Sequence, residues 1–268
     1  MDFNVKDFGA IPDGVTGNTE SIQRAIDECT KQGGGRVVLS QGVYKTGSIV
    51  LKSNVELHIE AGAVLLGSPN CEDYPEKQGL SHVISENLPR HRNACLIFAE
   101  NAENIAITGM GKIDCNGEVF VEEKTGDWTG WRFQRKDLPT PPRAVFFTGC
   151  KNVKVESVTM VNQPSGWSYW IHDCDFVTFD KCHILAKVDY RNNDGIHINS
   201  SRNVNISNCN IVTGDDCIVV RANNRSLAEN KVCERVTVIL WYYSKLQRRQ
   251  VEQLYQCFCQ HRLVQGTL

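Results

Sequence analysis

Short runs in which apolar and polar residues alternate recur along most of this chain. Segments resembling Asn-Val-x-Ile have their first apolar residue at Val55, Ile105, Val153, Val177, Val204 and Val236. The last three intervals are 24, 27 and 32 residues, and the first two, 50 and 48, are close to twice the shortest. Self-similarity at this period predicts a solenoid in which each repeat covers the apolar face of the next. If each repeat is one coil of a parallel β-helix, neighbouring coils stack at ~4.8 Å and residues distant in sequence become neighbours in space.

Ahead of the repeats the pattern changes. Phe3 to Ala10 reads as a short strand-like piece followed by a turn at Pro12-Asp13-Gly14. Ile22, Ala25, Ile26 and Cys29 then fall at i, i+3, i+4 and i+7, with Thr19 as the expected N-cap and Gly33 to Gly35 as the stop. One amphipathic helix before an all-β chain is suited to cover the open end of a solenoid, which otherwise exposes core and unpaired backbone. From Val37 onward strand follows strand, with glycines at 42, 47, 62 and 67 as corners.

Two stretches, 68 to 94 and 116 to 142, are polar and do not repeat, so they read as loops thrown out from the coils. The second holds Trp128, Trp131, Arg132, Arg135 and Lys136. Aromatic faces and fixed cations suit an acidic sugar, and a solvated loop with its tryptophans packed on the coil beneath fits the same residues. Trp167 and Trp170, in NQPSGWSYW, carry the same two readings, cleft lining or packing.

Composition narrows the partners. The chain has 268 residues, 41% hydrophobic and 22% charged, with a formal net charge of -2, which gives no basis for nucleic-acid binding. No apolar run approaches the ~20 residues of a membrane span, and the opening residues contain no signal-like segment. As written, a cytoplasmic monomer is expected, or a secreted or periplasmic one if the N-terminus is incomplete. Of the twelve cysteines, 150, 174, 182, 209, 217 and 233 fall mostly at repeated coil positions. Stacked interior thiols are therefore expected rather than disulfides.

The densest chemistry lies between Tyr190 and Arg221, YRNNDGIHINSSRNVNISNCNIVTGDDCIVVR. Asp194, Asp215 and Asp216 sit in two glycine-marked turns, and 21 residues, a little under one coil, separate Asp194 from Asp215. That spacing predicts adjacent rungs of one face. Successive strand residues face opposite sides, so Asp215 and Asp216 share a site only if the backbone bends, and Gly214 is placed to permit it. A solvated edge or a calcium site would also gather three acids. His197, between Ile196 and Ile198, is read as a polar outward position.

The motifs NVKDFGAIPDGVTGNTESIQRAIDEC, GGGRVVLSQGVYKTGSIVLKSNVELHIEAGAVLLGS, NIAITGMGKIDCNG, NNDGI and GDDCI resemble glycoside hydrolase family 28, the polygalacturonases and their relatives. The resemblance runs from residue 3 to about 238 and implies a right-handed parallel β-helix. It implies hydrolysis of galacturonosyl linkages in pectic poly- or oligosaccharides with inversion, without cofactor or metal. On this resemblance Asp215 is the general acid, Asp194 and Asp216 activate water, and Asn192 binds substrate or orients Asp194. Arg221 stands where relatives carry a lysine and would hold a uronate carboxylate or pair with an aspartate. Acid and base of an inverting enzyme are expected ~6.5 to 9.5 Å apart, and neighbouring negative charge keeps the acid protonated.

The resemblance also implies a glycine-flanked histidine and an arginine-x-lysine pair beyond the GDD coil, and neither is in the chain. Cys257, Cys259 and His261 have too few ligands at unsuitable spacing for zinc. A β-helix over 1–238 is therefore expected, followed by an atypical tail over 239–268. Leu246, Val251, Leu254, Tyr255 and Phe258 in that tail recur at roughly helical spacing, as an amphipathic cap would, and out-of-frame sequence after a truncation is the other reading. Weak or absent turnover is expected of the chain as written. Three classes stay open: a pectin-backbone glycosidase, an inactive β-helix that binds or scaffolds, and a calcium-dependent pectate lyase.

Overall fold

A computed structural model describes residues 1–77, 93–124, 131–141, 143–221 and 234–239. Its strands form a right-handed parallel β-helix with three long sheets. The eight-stranded sheet begins at Asp2–Asn4 and Gly35–Leu39 and ends at Arg202–Ser207 and Glu234–Ile239. A seven-stranded sheet runs from Asp13–Gly17 to Asn210–Val212. The third sheet has six strands, in spatial order Ile49–Val50, Cys95–Glu100, Arg143–Thr148, Trp167–His172, Ile196–Asn199 and Ile218–Arg221. Among the described residues no helix is long and apolar enough to cross a membrane.

The predicted register holds. Ile105 pairs with Val153, Val153 with Val177, Val177 with Val204, and Val204 with Val236. A second file runs Leu57, Ile107, Val155, Phe179, Ile206 and Val238. Both files point into the coil and join one continuous core. A one-residue slip would turn every one of these side chains outward, which is why alternation alone specifies the pairing.

The residue before Val55 and before each position of the first file adopts the left-handed conformation: Asn54, Asn104, Asn152 and Asn203 have φ between 51° and 63°, and Phe176 and Arg235 have φ 55° and 50°. Asparagine tolerates this region better than most side chains. Stacking then links its amide groups from coil to coil, Asn152 Nδ2 to Asn104 Oδ1 at 2.7 Å and Asn104 Nδ2 to Asn54 Oδ1 at 2.8 Å.

The helix spans Thr19–Lys31 and buries Ile22, Ala25, Ile26 and Cys29 over the first coil, as its spacing predicts. Thr19 is not the cap. Asn18 holds that position, and its side chain instead bonds Ile11 at both the N–H and the carbonyl. The Thr19 hydroxyl accepts from the Gly47 backbone N–H at 2.8 Å, so it fastens the helix to the coil beneath.

Every cysteine among the described residues is a free thiol. Cys150 stacks on Cys174 and Cys182 on Cys209 in neighbouring coils, and each of these thiols donates to a backbone carbonyl. The interior-thiol expectation is met there. Cys95 is different, because it lies in an outer cluster with Phe98, Phe146, Trp167 and Trp170.

Of the stretch 116 to 142, part is ordered as a small antiparallel hairpin, Val121–Glu123 with Phe133–Arg135. Trp128 lies outside the described residues, as do Cys233, His261 and positions 240 to 268 of the predicted tail. The last described strand ends at Ile239, one residue past the predicted boundary.

Candidate active site

The site forms on the third sheet, at the two turns that precede its last strands. Ile196 pairs with Ile218, and the Gly195 N–H donates to the Asp216 carbonyl at 2.9 Å, so Asp194 lies beside Asp216 in register. Asp215 sits one residue further back. The sequence spacing placed Asp194 and Asp215 on adjacent rungs, and strand register adds that the residue directly beside Asp194 is Asp216.

Asp215 and Asp216 reach one site because both lie in the bend between Asn210–Val212 and Ile218–Arg221, outside the pleat. Gly214 is needed there for space rather than for an unusual φ. A Cβ at this position would stand 2.5 Å from the Tyr190 carbonyl oxygen and 2.7 Å from that of Lys187. Gly195 is equally confined, with the Cys217 carbonyl 2.2 Å from a would-be Cβ. The glycines of both motifs thus let two turns lie against each other, and Gly214 N–H donates to the Asn193 carbonyl at 3.1 Å across the gap.

One oxygen from each of Asp194, Asp215 and Asp216 lies within 4.8 Å of the other two. These are nearest oxygens, whereas the ~6.5 to 9.5 Å expected of an inverting pair separates whole carboxyl groups. Their closeness comes from the fold: register-matched residues on neighbouring coils stand one strand spacing apart, ~4.8 Å. A gap approaching that size still admits a water bonded to both oxygens at about 2.7 Å in a bent geometry.

The three acids differ in environment. Asp194 is 3% exposed, and its Oδ2 lies 2.8 Å from Nε2 of His197 while its Oδ1 has no hydrogen-bond partner. Burial, then the charge of Asp216, pushes its pKa up to about 8, against the pull of Arg221 and Arg143. Asp215 is half-buried, and burial with the charges of Asp194 and Asp216 pushes it up to about 7. The backbone N–H groups of Asp216 and Asn192 pull it the other way. Asp216 is exposed. Such a cluster keeps a proton near neutral pH, as a general acid needs, and its titration belongs to the group rather than to one residue.

His197 is not solvent-facing as the alternation suggested. It points away from the coil interior, yet it is fully buried because the Trp167 ring lies on it, centroids 3.6 Å apart and planes 12° apart. Burial then drives the imidazole's pKa well below its ordinary value, with Arg221 adding to the effect. Trp167 and Trp170 pack with Phe146 and Phe98, and Arg143 inserts its guanidinium 4.7 Å from one indole and 4.2 Å from the other. Burial, then Arg135, brings the Arg143 pKa down to about 9. Arg143 escaped the sequence reading, although a cation heading the apolar run RAVFFTG was a usable signal.

The other predicted residues divide. The guanidinium of Arg221 lies 5.7 Å from the Trp167 ring and its charge acts on Asp194, at the site. Asn192 adopts φ 53° with an exposed side chain, and it is its backbone N–H that reaches Asp215. Trp131 donates its indole N–H to the Gly214 carbonyl at 2.6 Å. Arg132 stands apart on the hairpin, exposed and paired with Glu123 at 3.0 Å. Lys136 donates to the Val119 carbonyl.

Residues 37–235 match the family model for glycosyl hydrolases family 28. The chain belongs to this family. It is 33% identical over 222 residues to a Vitis vinifera protein named as a probable polygalacturonase, covering 81% of this chain and 43% of that one. An endo-polygalacturonase of Pectobacterium parmentieri is 30% identical over 214 residues, 76% of this chain and 51% of the relative. Among solved structures, an exopolygalacturonase from Thermotoga maritima superposes with a TM-score of 0.65 at 30% identity, over 84% of this chain and 55% of that one. The chain thus spans about half the length of the curated relatives it matches.

Proposed function

We propose that this family 28 chain hydrolyses galacturonosyl linkages of pectic poly- or oligosaccharides. The observation that carries this reading is the convergence of Asp194, Asp215 and Asp216 within 4.8 Å in two turns that the family motifs mark. In the proposed reaction Asp215 protonates the leaving glycosidic oxygen while Asp194 and Asp216 take a proton from the attacking water. The raised pKa of Asp215 suits an acid that must hold its proton near neutrality. Arg221 and Trp167 would meet the uronate ring, one through its charge and the other through its edge.

The family's relatives include proteins named for endo and for exo action, and either pattern is compatible with these residues. Inversion is the outcome the family resemblance implies, and retention is the alternative. Proton NMR of the first anomer released from oligogalacturonate decides between them.

A calcium-dependent lyase is the second reading, since three carboxylates are the donor type a hard cation accepts. The cations around Asp194, Arg221 and Arg143, weigh against it, because they already offset the negative charge that would attract calcium. The test is to incubate residues 1 to 268 with polygalacturonate, with calcium or with chelator. Reducing ends without ultraviolet absorbance, in chelator, support hydrolysis. Absorbing unsaturated products that require calcium would replace it with elimination, and neither product would leave a binding or scaffold protein.

A further inference from the structure

We propose that His197 is a positioning residue for Asp194: its Nε2–H donates to Oδ2 and fixes the carboxyl group, so that Oδ1 is the oxygen left to take up a proton. The inference rests on the hydrolase reading and assigns atoms within it.

Four observations carry it. The Nε2 to Oδ2 distance is 2.8 Å, and both side chains are almost wholly buried, so no solvent competes for either. The imidazole is held flat against Trp167, whose ring also meets the Arg143 guanidinium at 4.7 Å. Nδ1 of His197 is buried without a hydrogen-bond partner. Oδ1 of Asp194 is likewise buried and without a partner.

The unpartnered Nδ1 decides the tautomer. A proton there would be a buried donor with no acceptor, at a cost of about 1–3 kcal/mol. Leaving Nδ1 as a bare lone pair costs less, so the single imidazole proton belongs on Nε2, aimed at Asp194. A doubly protonated ring would carry the same orphan donor in the field of Arg221 and Arg143. His197 is therefore a neutral N–H donor, and a hydrogen bond to the charged form favours carboxylate over acid. It opposes the burial and the Asp216 charge that push Asp194 toward protonation, and Arg221 and Arg143 act in the same sense as His197. With Oδ2 occupied, a proton arriving at Asp194 goes to Oδ1. Asp215, in the same triad, supplies the other proton of the reaction.

Two spectroscopic measurements on the full chain test this without requiring turnover. Ring nitrogen-15 spectra are expected to show His197 neutral and protonated at Nε2 from about pH 5 to 8, through the range where a free histidine titrates. The carbon-13 titration of the Asp194 carboxyl is expected to keep its midpoint in His197→Gln, which still presents an N–H at similar reach. In His197→Phe, which retains a ring for Trp167 and has no donor, the midpoint should move to higher pH. A His197 that titrates near about 6.5, or an Asp194 midpoint unmoved in His197→Phe, overturns the proposal. Because neither readout depends on catalysis, a chain that releases no reducing ends counts against the hydrolase reading alone. Where turnover is measured, His197→Phe should lower kcat ~100-fold with KM little changed and shift the acid limb upward. His197→Gln should recover most of that loss, and equal losses in the two variants would sink the assignment.

Discussion

The indole N–H of Trp131 donates to the carbonyl oxygen of Gly214 at 2.6 Å, joining the inserted hairpin to the GDD turn. The hairpin is also held from the other side, where Arg132 and Phe133 N–H groups both donate to the Asp189 carbonyl and Phe133 packs on Tyr190. Both motif turns are therefore braced by the same insertion. Trp131→Phe keeps the ring and removes the donor. We expect it to lower unfolding stability by about 1 kcal/mol, measured by urea denaturation, and to lower kcat more than it raises KM as Asp215 loses its setting.

Asp215→Asn should abolish hydrolysis, with a loss of at least ~100-fold, because an amide cannot donate the proton the leaving oxygen requires. Circular dichroism should be unchanged, since the side chain is only half-buried and lies outside the core. Reducing-sugar release equal to wild type in this variant would move the acid to another residue.

Gly214→Ala tests whether the turns must touch. The new Cβ would meet the Tyr190 and Lys187 carbonyl oxygens at 2.5 and 2.7 Å, both of them backbone atoms that cannot swing aside. A stability loss of about 1–3 kcal/mol is expected from such overpacking, together with loss of activity as Asp215 and Asp216 move. A variant with normal activity and an unchanged melting temperature would show that the loop over 187–190 yields readily.

Stability should depend on pH through the site. Asp194 and Asp215 have folded pKa values near 8 and 7, above the ordinary 3.8, so the folded chain binds protons that the unfolded chain releases between these limits. The stability they contribute is complete below about pH 3.8 and is lost as pH rises through the folded values. Asp194→Asn removes that loss. It should be more stable than wild type at pH 8 by on the order of a few kcal/mol, with the gap closing toward pH 4. Denaturant melts at the two pH values check it, and a gap that widens on acidification would contradict the raised pKa.

The repeating valine and isoleucine files were legible because a pleat with one buried face leaves period-two alternation in the sequence, and because coils of similar length repeat it. Val153, Val177, Val204 and Val236 fall in one file for that reason. The motif aspartates were legible too, as residues of a type and order that the family shares. What stayed hidden was anything set by one residue of register or by side-chain direction between coils. Asp194 facing Asp216 rather than Asp215 is a shift of one position, invisible when coil lengths vary from 24 to 32 residues.

By itself, then, the sequence determined the coil architecture, the capping helix face and the identity of the three acids, because each is written in local spacing or in a contiguous motif. Only the tertiary structure decided the burial of His197, the insertion of Arg143 between two indoles and the anchoring of Trp131 on Gly214. Each of these joins segments from different coils or from an inserted loop: Arg143 to Trp167 and Trp170, Trp167 to His197, and Trp131 to a turn 83 residues away. Alternation states which side of the sheet a residue leaves from. Whether a tryptophan from the neighbouring rung then covers it depends on strand pairing and rotamer, and those are settled only when the coils are stacked.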